Sequence, residues 1–324
     1  MVKGSARAAG AAAALPDYAE LHCLSNFTFL RGASHPEELV VRARELGYAA
    51  LALTDECSVA GVVRAHTAAK ESPSDAESAA ASAGSTPLRL IIGTECRLAC
   101  GLKLVALAQN RQGYARLCRL ITRGRRQAPK GEYALTRADV ESSLEHCLLL
   151  WLPGEEPDRP AGEWLQERFR DRVWLAVELA RDGTDRTRLG RLTQLAQRLS
   201  MPLVASGNVH MHVRERHRLQ DALTAIRLGV PIDMAGRQLQ MNGERYLRER
   251  ARLARLYPEE LLTETLAIAE RCRFSLDELR YEYPREIVPP GETPQTYLRK
   301  LTEKGALERW PRGVPDKARK IIAH

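Results

Sequence analysis

The stretch that most constrains the fold is residues 20–61, ELHCLSNFTFLRGASHPEELVVRARELGYAALALTDECSVAG. A short apolar segment leads into a turn, and Ser34 followed by Pro36 is typical of a helix N-cap and first turn. The run 49–53 is apolar throughout, as is typical of a strand covered on both faces. The pattern predicts a strand–helix–strand unit with polar side chains where its strands end, at His22, Asp55 and Glu56.

The same alternation continues to about residue 206 and places further polar residues after strands. A predicted strand at 88–92 runs into Glu95, and another at 202–206 runs into Asn208 and His210. Alternating strands and helices favour an α/β fold with a parallel sheet or barrel. Beyond Glu215 helical patterns dominate, and a Ser/Ala-rich surface insertion is expected near residues 71–87.

The charge balance permits contact with nucleic acid without requiring it. The 324 residues carry 49 Lys and Arg against 41 Asp and Glu, a formal net charge of +8. A solvated Arg-rich surface explains this excess equally well, because net charge speaks to non-specific binding and not to fold. One basic loop is predicted to contact DNA phosphates, or else to be a solvated turn, and its residues are Arg123, Arg125, Arg126 and Lys130.

The seven cysteines are scattered and form no CxxC pair. This spacing argues against a zinc-binding framework and favours free thiols in a reducing cytoplasm, the predicted location. No apolar run approaches the length that spans a membrane, and residues 1–17 are interpreted as a disordered leader and not as a signal peptide.

His, Asp and Glu side chains at successive strand ends are typical of a metal site that activates water for phosphoester hydrolysis. Polar residues at strand ends also serve as caps and turn formers. The residue types alone leave both interpretations open.

Several segments, in order, resemble the PHP domain (polymerase and histidinol phosphatase) that opens bacterial C-family DNA polymerases, and especially its error-prone, damage-induced branch. They include LHCLSNFTFLRGASHPEELV, LALTDECSVAGVVRAH, IIGTECRL and PLVASGNVHMHVRERHRLQDALTAIRLG. The resemblance implies a PHP-type distorted (β/α)7 barrel with a metal centre at the C-terminal strand ends. It assigns residues 18–228 to the PHP domain, 229–284 to a helical extension that closes it, and 285–324 to a connector and the start of a truncated polymerase palm.

The chain departs from the family's metal-binding motifs at four positions, which are Leu24, Glu56, Lys103 and Asn208. By resemblance, the ligands that remain are His22, Asp55, Glu95 and His210. Leu24 has no lone pair for a metal, and a lysine beside ligands would repel a cation. In one interpretation the remnants hydrogen-bond one another and hold the barrel mouth closed. In the other, a single Zn²⁺ or Mn²⁺ persists and supports hydrolysis, although a metal needs about four ligands in a fixed geometry.

The resemblance further implies that the full protein is an error-prone DNA-directed DNA polymerase for translesion synthesis after DNA damage. Its substrates would be primer-template DNA and dNTPs, and its partners the sliding clamp and the accessory proteins of the mutagenesis complex. Its Mg²⁺-binding palm carboxylates would lie beyond His324, so no catalytic residue is expected here. The alternatives are a metal-dependent PHP phosphoesterase or 3′–5′ exonuclease, and a non-catalytic DNA-binding module.

Overall fold

A computed structural model describes residues 15–71, 88–280 and 287–323. Residues 1–14 of the predicted leader and 72–87 of the predicted insertion lie outside the described residues. The chain divides into two compact units, Met1–Leu279 and Arg280–His324.

The first unit is built on a seven-stranded sheet in which the strands follow chain order. Its strands are β1 (Ala19–Cys23), β2 (Ala50–Leu53), β3 (Arg89–Arg97), β4 (Lys103–Ala108), β5 (Cys147–Trp151), β6 (Val173–Glu178) and β7 (Leu203–Ser206). All neighbouring pairs are parallel except β3–β4 and β4–β5, which are antiparallel.

The antiparallel β4 corrects the expectation of a parallel sheet. Only a tight turn joins β3 to β4, and Gly101 adopts a φ of 87° within it. A parallel return would need a crossover of a dozen or more residues, for which this turn is too short. β3 is also longer than the predicted strand, so Glu95 lies within it and pairs with Val105.

The sheet closes into a nearly complete barrel where β1 meets the end of β7. The Leu24 amide donates to the Val209 carbonyl at 2.8 Å, and the Val209 amide donates to the His22 carbonyl at 2.9 Å. Next to these bonds the Glu20 side chain bridges the seam, because its Oε1 accepts from the amides of His22 and Gly207 at 3.0 Å each. The buried carboxylate thus replaces part of a strand ladder.

The helices of this unit pack around the sheet. They are α1 (Pro36–Glu45), α2 (Val62–Lys70), α3 (Arg111–Arg126), α4 (Arg137–Ser143), α5 (Arg159–Phe169), α6 (Asp185–Leu199), α7 (His217–Leu228), α8 (Arg250–Leu256) and α9 (Glu259–Arg271). The N-cap of α1 is His35, one residue after the predicted Ser34. Ser34 instead accepts a hydrogen bond from the His212 amide at 2.9 Å, so its side chain fastens a loop at the barrel mouth.

Both faces of the sheet are buried. Alternate residues point into the barrel, where Leu21, Ile91 and Val105 share one apolar cluster, and the others pack under the helices. Ile268 and Ala269 of α9 belong to the interior cluster. Residues of the predicted helical extension are therefore part of the barrel's own core.

The second unit contains α10 (Pro294–Arg309) and α11 (Asp316–Ile322). Thr293 caps α10 by accepting from the Thr296 amide at 3.2 Å. Among the helices of the described residues, none is both long and apolar enough to cross a bilayer.

Candidate functional site

His22 lies at the end of β1 with its side chain fully buried between two carboxylates. Its Nε2 is 2.9 Å from Glu95 Oε2, and its Nδ1 is 3.0 Å from Glu178 Oε1. Burial lowers the pKa of His22, but the two glutamates outweigh this effect and raise the pKa to about 9. His22 is therefore an imidazolium at neutral pH, and both ring nitrogens donate hydrogen bonds.

Glu95 receives a second cation, the guanidinium of Arg31. Arg31 Nη1 donates to Glu95 Oε1 at 2.8 Å, Nη2 lies 3.3 Å from Oε2, and Nη1 also pairs with Glu56. Burial raises the pKa of Glu95, but the hydrogen bond from His22 and the charge of Arg31 hold it well below its usual range. Glu95 is thus a buried carboxylate with both oxygens occupied.

Glu56 stands beside Glu95 because the two residues form a parallel β-bridge beyond the end of β2. Its Oε2 faces Arg31, and its Oε1 accepts from the Tyr133 hydroxyl at 2.7 Å. Two adjacent carboxylates repel each other unless a cation lies between them. Arg31 supplies that charge.

Glu178, the last residue of β6, is a third carboxylate at the mouth. Its Oε2 accepts from Asn208 Nδ2 at 2.9 Å. Burial raises the pKa of Glu178, yet the hydrogen bond from His22 and the charges of His22 and Arg245 keep it below its usual value.

Asp55 is turned toward the loop that follows β1. Its Oδ1 accepts from the Ser25 amide at 2.8 Å and the Thr28 hydroxyl at 2.7 Å, and its Oδ2 accepts from the Ser25 hydroxyl at 2.7 Å. Burial raises the pKa of Asp55 even though these bonds oppose the shift. The side chain fastens the 25–28 turn to the end of β2.

His210 has two close neutral partners, and Arg245 Nη1 lies farther away, at 3.5 Å from Nε2. Its Nδ1 is 2.7 Å from Gln220 Nε2, and its Nε2 is 2.9 Å from Asn208 Oδ1. Burial lowers the pKa of His210 well below its usual value, and the charge of Arg245 acts in the same direction. A neutral imidazole satisfies both contacts if Nε2 carries the proton and Nδ1 accepts from Gln220.

The structure therefore brings His22 and Glu95 into direct contact and gives Asp55 and His210 other partners. A continuous chain of contacts crosses the barrel mouth, in the order Gln220, His210, Asn208, Glu178, His22, Glu95, Arg31, Glu56 and Tyr133. We call this chain the mouth network.

Four members of the mouth network escaped the sequence analysis, namely Arg31, Tyr133, Glu178 and Gln220. Arg31 lies in an irregular loop, where no periodicity predicts the direction of a side chain. Glu178 ends β6, and the alternation that points Trp174 and Ala176 into the barrel would have placed it there too. The signal for Arg31 was electrostatic, because the adjacent acidic residues Glu56 and Glu95 need a counter-charge.

The altered positions Leu24 and Lys103 differ in exposure. Leu24 is fully buried, whereas Lys103 is partly exposed. Lys103 begins β4 opposite Arg97, on the same sheet face as Val105 and Glu95 but nearer the mouth.

The prediction of a basic loop was wrong for three of its four residues, because Arg123, Arg125 and Arg126 belong to the last turn of α3. Two of them make internal contacts. Arg125 donates to the Cys57 carbonyl at 3.1 Å, and Arg123 pairs with Asp139 at 3.2 Å. Arg126 and Lys130 are exposed. A role in DNA binding stays a prediction.

Across residues 15–71, 88–280 and 287–323, no group of three or more His, Cys, Asp or Glu side chains is arranged to hold a metal ion. The contacts already described give the physical reason at the mouth network, since its carboxylates face guanidinium and imidazolium groups.

Comparison with known proteins gives consistent matches. Residues 20–183 match the family model of the PHP domain. An error-prone DNA polymerase of Dechloromonas aromatica is 56% identical over 315 residues, which are 96% of this chain and 29% of that protein. One from Pseudomonas aeruginosa is 53% identical over 305 residues, 94% of this chain and 28% of that protein. The chain thus spans less than a third of the length of these curated relatives.

Among solved structures, an amidohydrolase from Chromobacterium violaceum with bound sulfate and no metal aligns with 60% of this chain and 87% of that chain. The identity is 16% and the TM-score is 0.43.

Proposed function

The chain belongs to the PHP-domain family, and from this premise we propose that it is the N-terminal scaffold region of an error-prone DNA polymerase. Relatives with that name are similar to nearly the whole of this chain, at 56% and 53% identity. In this proposal the full protein extends a primer on template DNA with dNTPs and Mg²⁺, in translesion synthesis after DNA damage. The sliding clamp and mutagenesis accessory proteins would be its partners, and the cytoplasm its location.

The observation that carries the scaffold role is the balance of charge in the mouth network. Three carboxylates, from Glu56, Glu95 and Glu178, face the cations of His22 and Arg31, with the charge of Arg245 acting on Glu178. The buried Glu95 and the partly buried Glu56 and Glu178 are thus compensated by the chain itself, as charges removed from water require.

This donor set does not fit a metal ion. The oxygens of Glu95 already face Arg31 and His22, and a dication would lie against two fixed positive charges. Asp55 and His210, which the family resemblance names as ligands, are engaged by Ser25, Thr28, Asn208 and Gln220. We therefore derive no hydrolytic step from this site, and its chemistry supports a bracing role.

The experiment is an assay of the purified chain for hydrolysis, with p-nitrophenyl phosphate and with an end-labelled oligonucleotide, in Mn²⁺ or Zn²⁺. We expect no turnover above that of the matched variant Glu95→Gln. Metal-dependent hydrolysis that disappears in Glu95→Gln would contradict the scaffold role and establish the phosphoesterase or exonuclease alternative.

A positive test uses the full-length polymerase carrying Glu95→Gln. If Glu95 is a scaffold residue, its replacement should lower both the temperature at which primer extension fails and the unfolding temperature. Primer extension per folded molecule at low temperature should stay unchanged. A loss of extension in fully folded enzyme would assign the mouth network a direct role in synthesis.

A further inference from the structure

We propose that Arg31 is a built-in cation that holds Glu56 and Glu95 together and excludes a divalent metal from them. The inference deepens the proposed scaffold role and rests on it, since it explains what keeps the mouth network closed. It assigns the exclusion to one side chain, and that assignment can be tested independently.

The guanidinium lies between the two acids. Arg31 Nη1 contacts both Glu56 and Glu95, and its Nη2 approaches the second oxygen of Glu95 at 3.3 Å. The β-bridge between Glu56 and Glu95 holds their backbones side by side, so the two acids cannot separate to relieve their repulsion. A cation is required between them, and the planar fork of arginine fits two carboxylates.

The loop that presents Arg31 is a close turn held by backbone hydrogen bonds. The amides of Arg31 and Gly32 both donate to the Thr28 carbonyl, at 3.0 and 3.1 Å. A Cβ on Gly32 would lie 2.0 Å from the Ser25 carbonyl oxygen, so only glycine permits this close turn. The loop is thereby held in one conformation.

Asp55 fastens the turn that presents Arg31. Its carboxylate binds the Ser25 and Thr28 side chains, which belong to the turn that presents Arg31. Asp55, which the family resemblance names as a ligand, thus helps to position the Arg31 guanidinium between Glu56 and Glu95. Asp55 is a positioning residue in this account.

Removal of the guanidinium would leave a set of donors that a metal can use. Glu56 Oε2 and Glu95 Oε1 would lose the guanidinium. A dication in its place would also favour the neutral form of His22, whose Nε2 lies 2.9 Å from Glu95 Oε2. Carboxylate and imidazole together suit Mn²⁺ and Zn²⁺. Lys103 offers a competing explanation for the exclusion of metal, because it lies on the same sheet face as Glu95 and nearer the mouth.

The experiment compares Arg31→Met with three matched variants of the same chain. Lys103→Met removes the competing cation, Arg31→Lys keeps a positive charge at the site, and Arg159→Met breaks the exposed Arg159–Glu163 pair. Each protein is dialysed against Mn²⁺ or Zn²⁺ alone, and bound metal is measured by elemental analysis and calorimetry.

We expect Arg31→Met to bind one dication on the order of 100-fold more tightly than the unaltered chain, because removal of an adjacent charge strongly favours a second cation. The other three variants should remain like the unaltered chain. Addition of Glu56→Gln to Arg31→Met should weaken the new binding. A folded Arg31→Met that binds no metal, or a new site that opens only in Lys103→Met, would overturn the inference.

Loss of folding is handled by the variant Arg31→Gln, which keeps amide donors to the carboxylates without the charge. If Arg31→Met folds only when metal is added, the inference is supported, and circular dichroism measures this. If Arg31→Met does not fold, then Arg31→Gln decides, and a folded, metal-free Arg31→Gln overturns the inference. Metal in the unaltered chain would contradict both the scaffold role and the inference, whereas a folded, metal-free Arg31→Met would contradict the inference alone, so the two failures are distinguishable.

Discussion

Replacement of Glu95 by glutamine tests the mouth network at its centre. The Glu95 side chain is 1% exposed and compensates both His22, which is fully buried, and Arg31. Glutamine preserves the shape and one acceptor but removes the charge, so two partly or fully buried cations lose a shared partner. Removal of one member of a buried ion pair costs about 3–5 kcal/mol.

The expected loss lies at the lower end of that range, because each cation keeps one other carboxylate. Arg31 retains Glu56, and His22 retains Glu178. We therefore expect the free energy of unfolding to fall by about 3 kcal/mol. At about 2–4 °C per kcal/mol for a unit of this size, the melting temperature should fall by about 6–12 °C.

The assay is chemical denaturation followed by circular dichroism, with thermal melting as a second measurement. The matched control is Glu163→Gln, which removes the negative charge from an Arg–Glu pair of 2.8 Å on the surface, where the two side chains are 63% and 51% exposed. This variant should change stability by less than about 1 kcal/mol. Equal effects of the two substitutions would refute the claim that buried ion pairs brace the barrel mouth.

Two further predictions concern other parts of the barrel. Cys100 is exposed, whereas Cys57 is buried and burial raises its pKa to about 11, so at pH 8 only about a thousandth of Cys57 is thiolate. Iodoacetamide should label Cys100 first, with Cys57 labelled faster as the pH rises, and equal rates at pH 8 would show that Cys57 is accessible. Gly32→Ala should destabilise the fold by more than about 2 kcal/mol, since its Cβ would meet the Ser25 carbonyl, whereas Gly190→Ala, with nothing within 4 Å, should stabilise α6 by about 0.5–1 kcal/mol. Denaturant midpoints measure both, and a tolerated Gly32→Ala would mean that the turn is not tightly packed.

Side-chain periodicity in the sequence predicted the alternation of strands and helices. Polar side chains of neighbouring strands meet at one edge of the sheet, and there His22 of β1 contacts Glu95 of β3. The family resemblance supplied the closed barrel, which alternation alone left open between a barrel and a parallel sheet.

The antiparallel β4 escaped prediction because the expectation of a parallel sheet took no account of the short connection between β3 and β4, which has no room for a crossover. The direction of the Asp55 side chain escaped because it is decided by hydroxyl and amide donors in the 25–28 turn, which are distant in sequence. Arg31 escaped for the same reason, since a loop has no period and its side chain follows charge. Specific tertiary contacts decide the direction of both side chains, and no periodic sequence pattern encodes those contacts.

The central claim is that the chain itself supplies the cations of the mouth network. The most direct measurement is the metal content of the purified, untagged chain by elemental analysis, after dialysis against Zn²⁺ and Mn²⁺ and removal of free metal. The account predicts less than about a tenth of an equivalent of either metal. One equivalent or more, lost in Asp55→Ala or His210→Ala, would contradict it and would show that a metal displaces the ion pairs of Arg31 and His22.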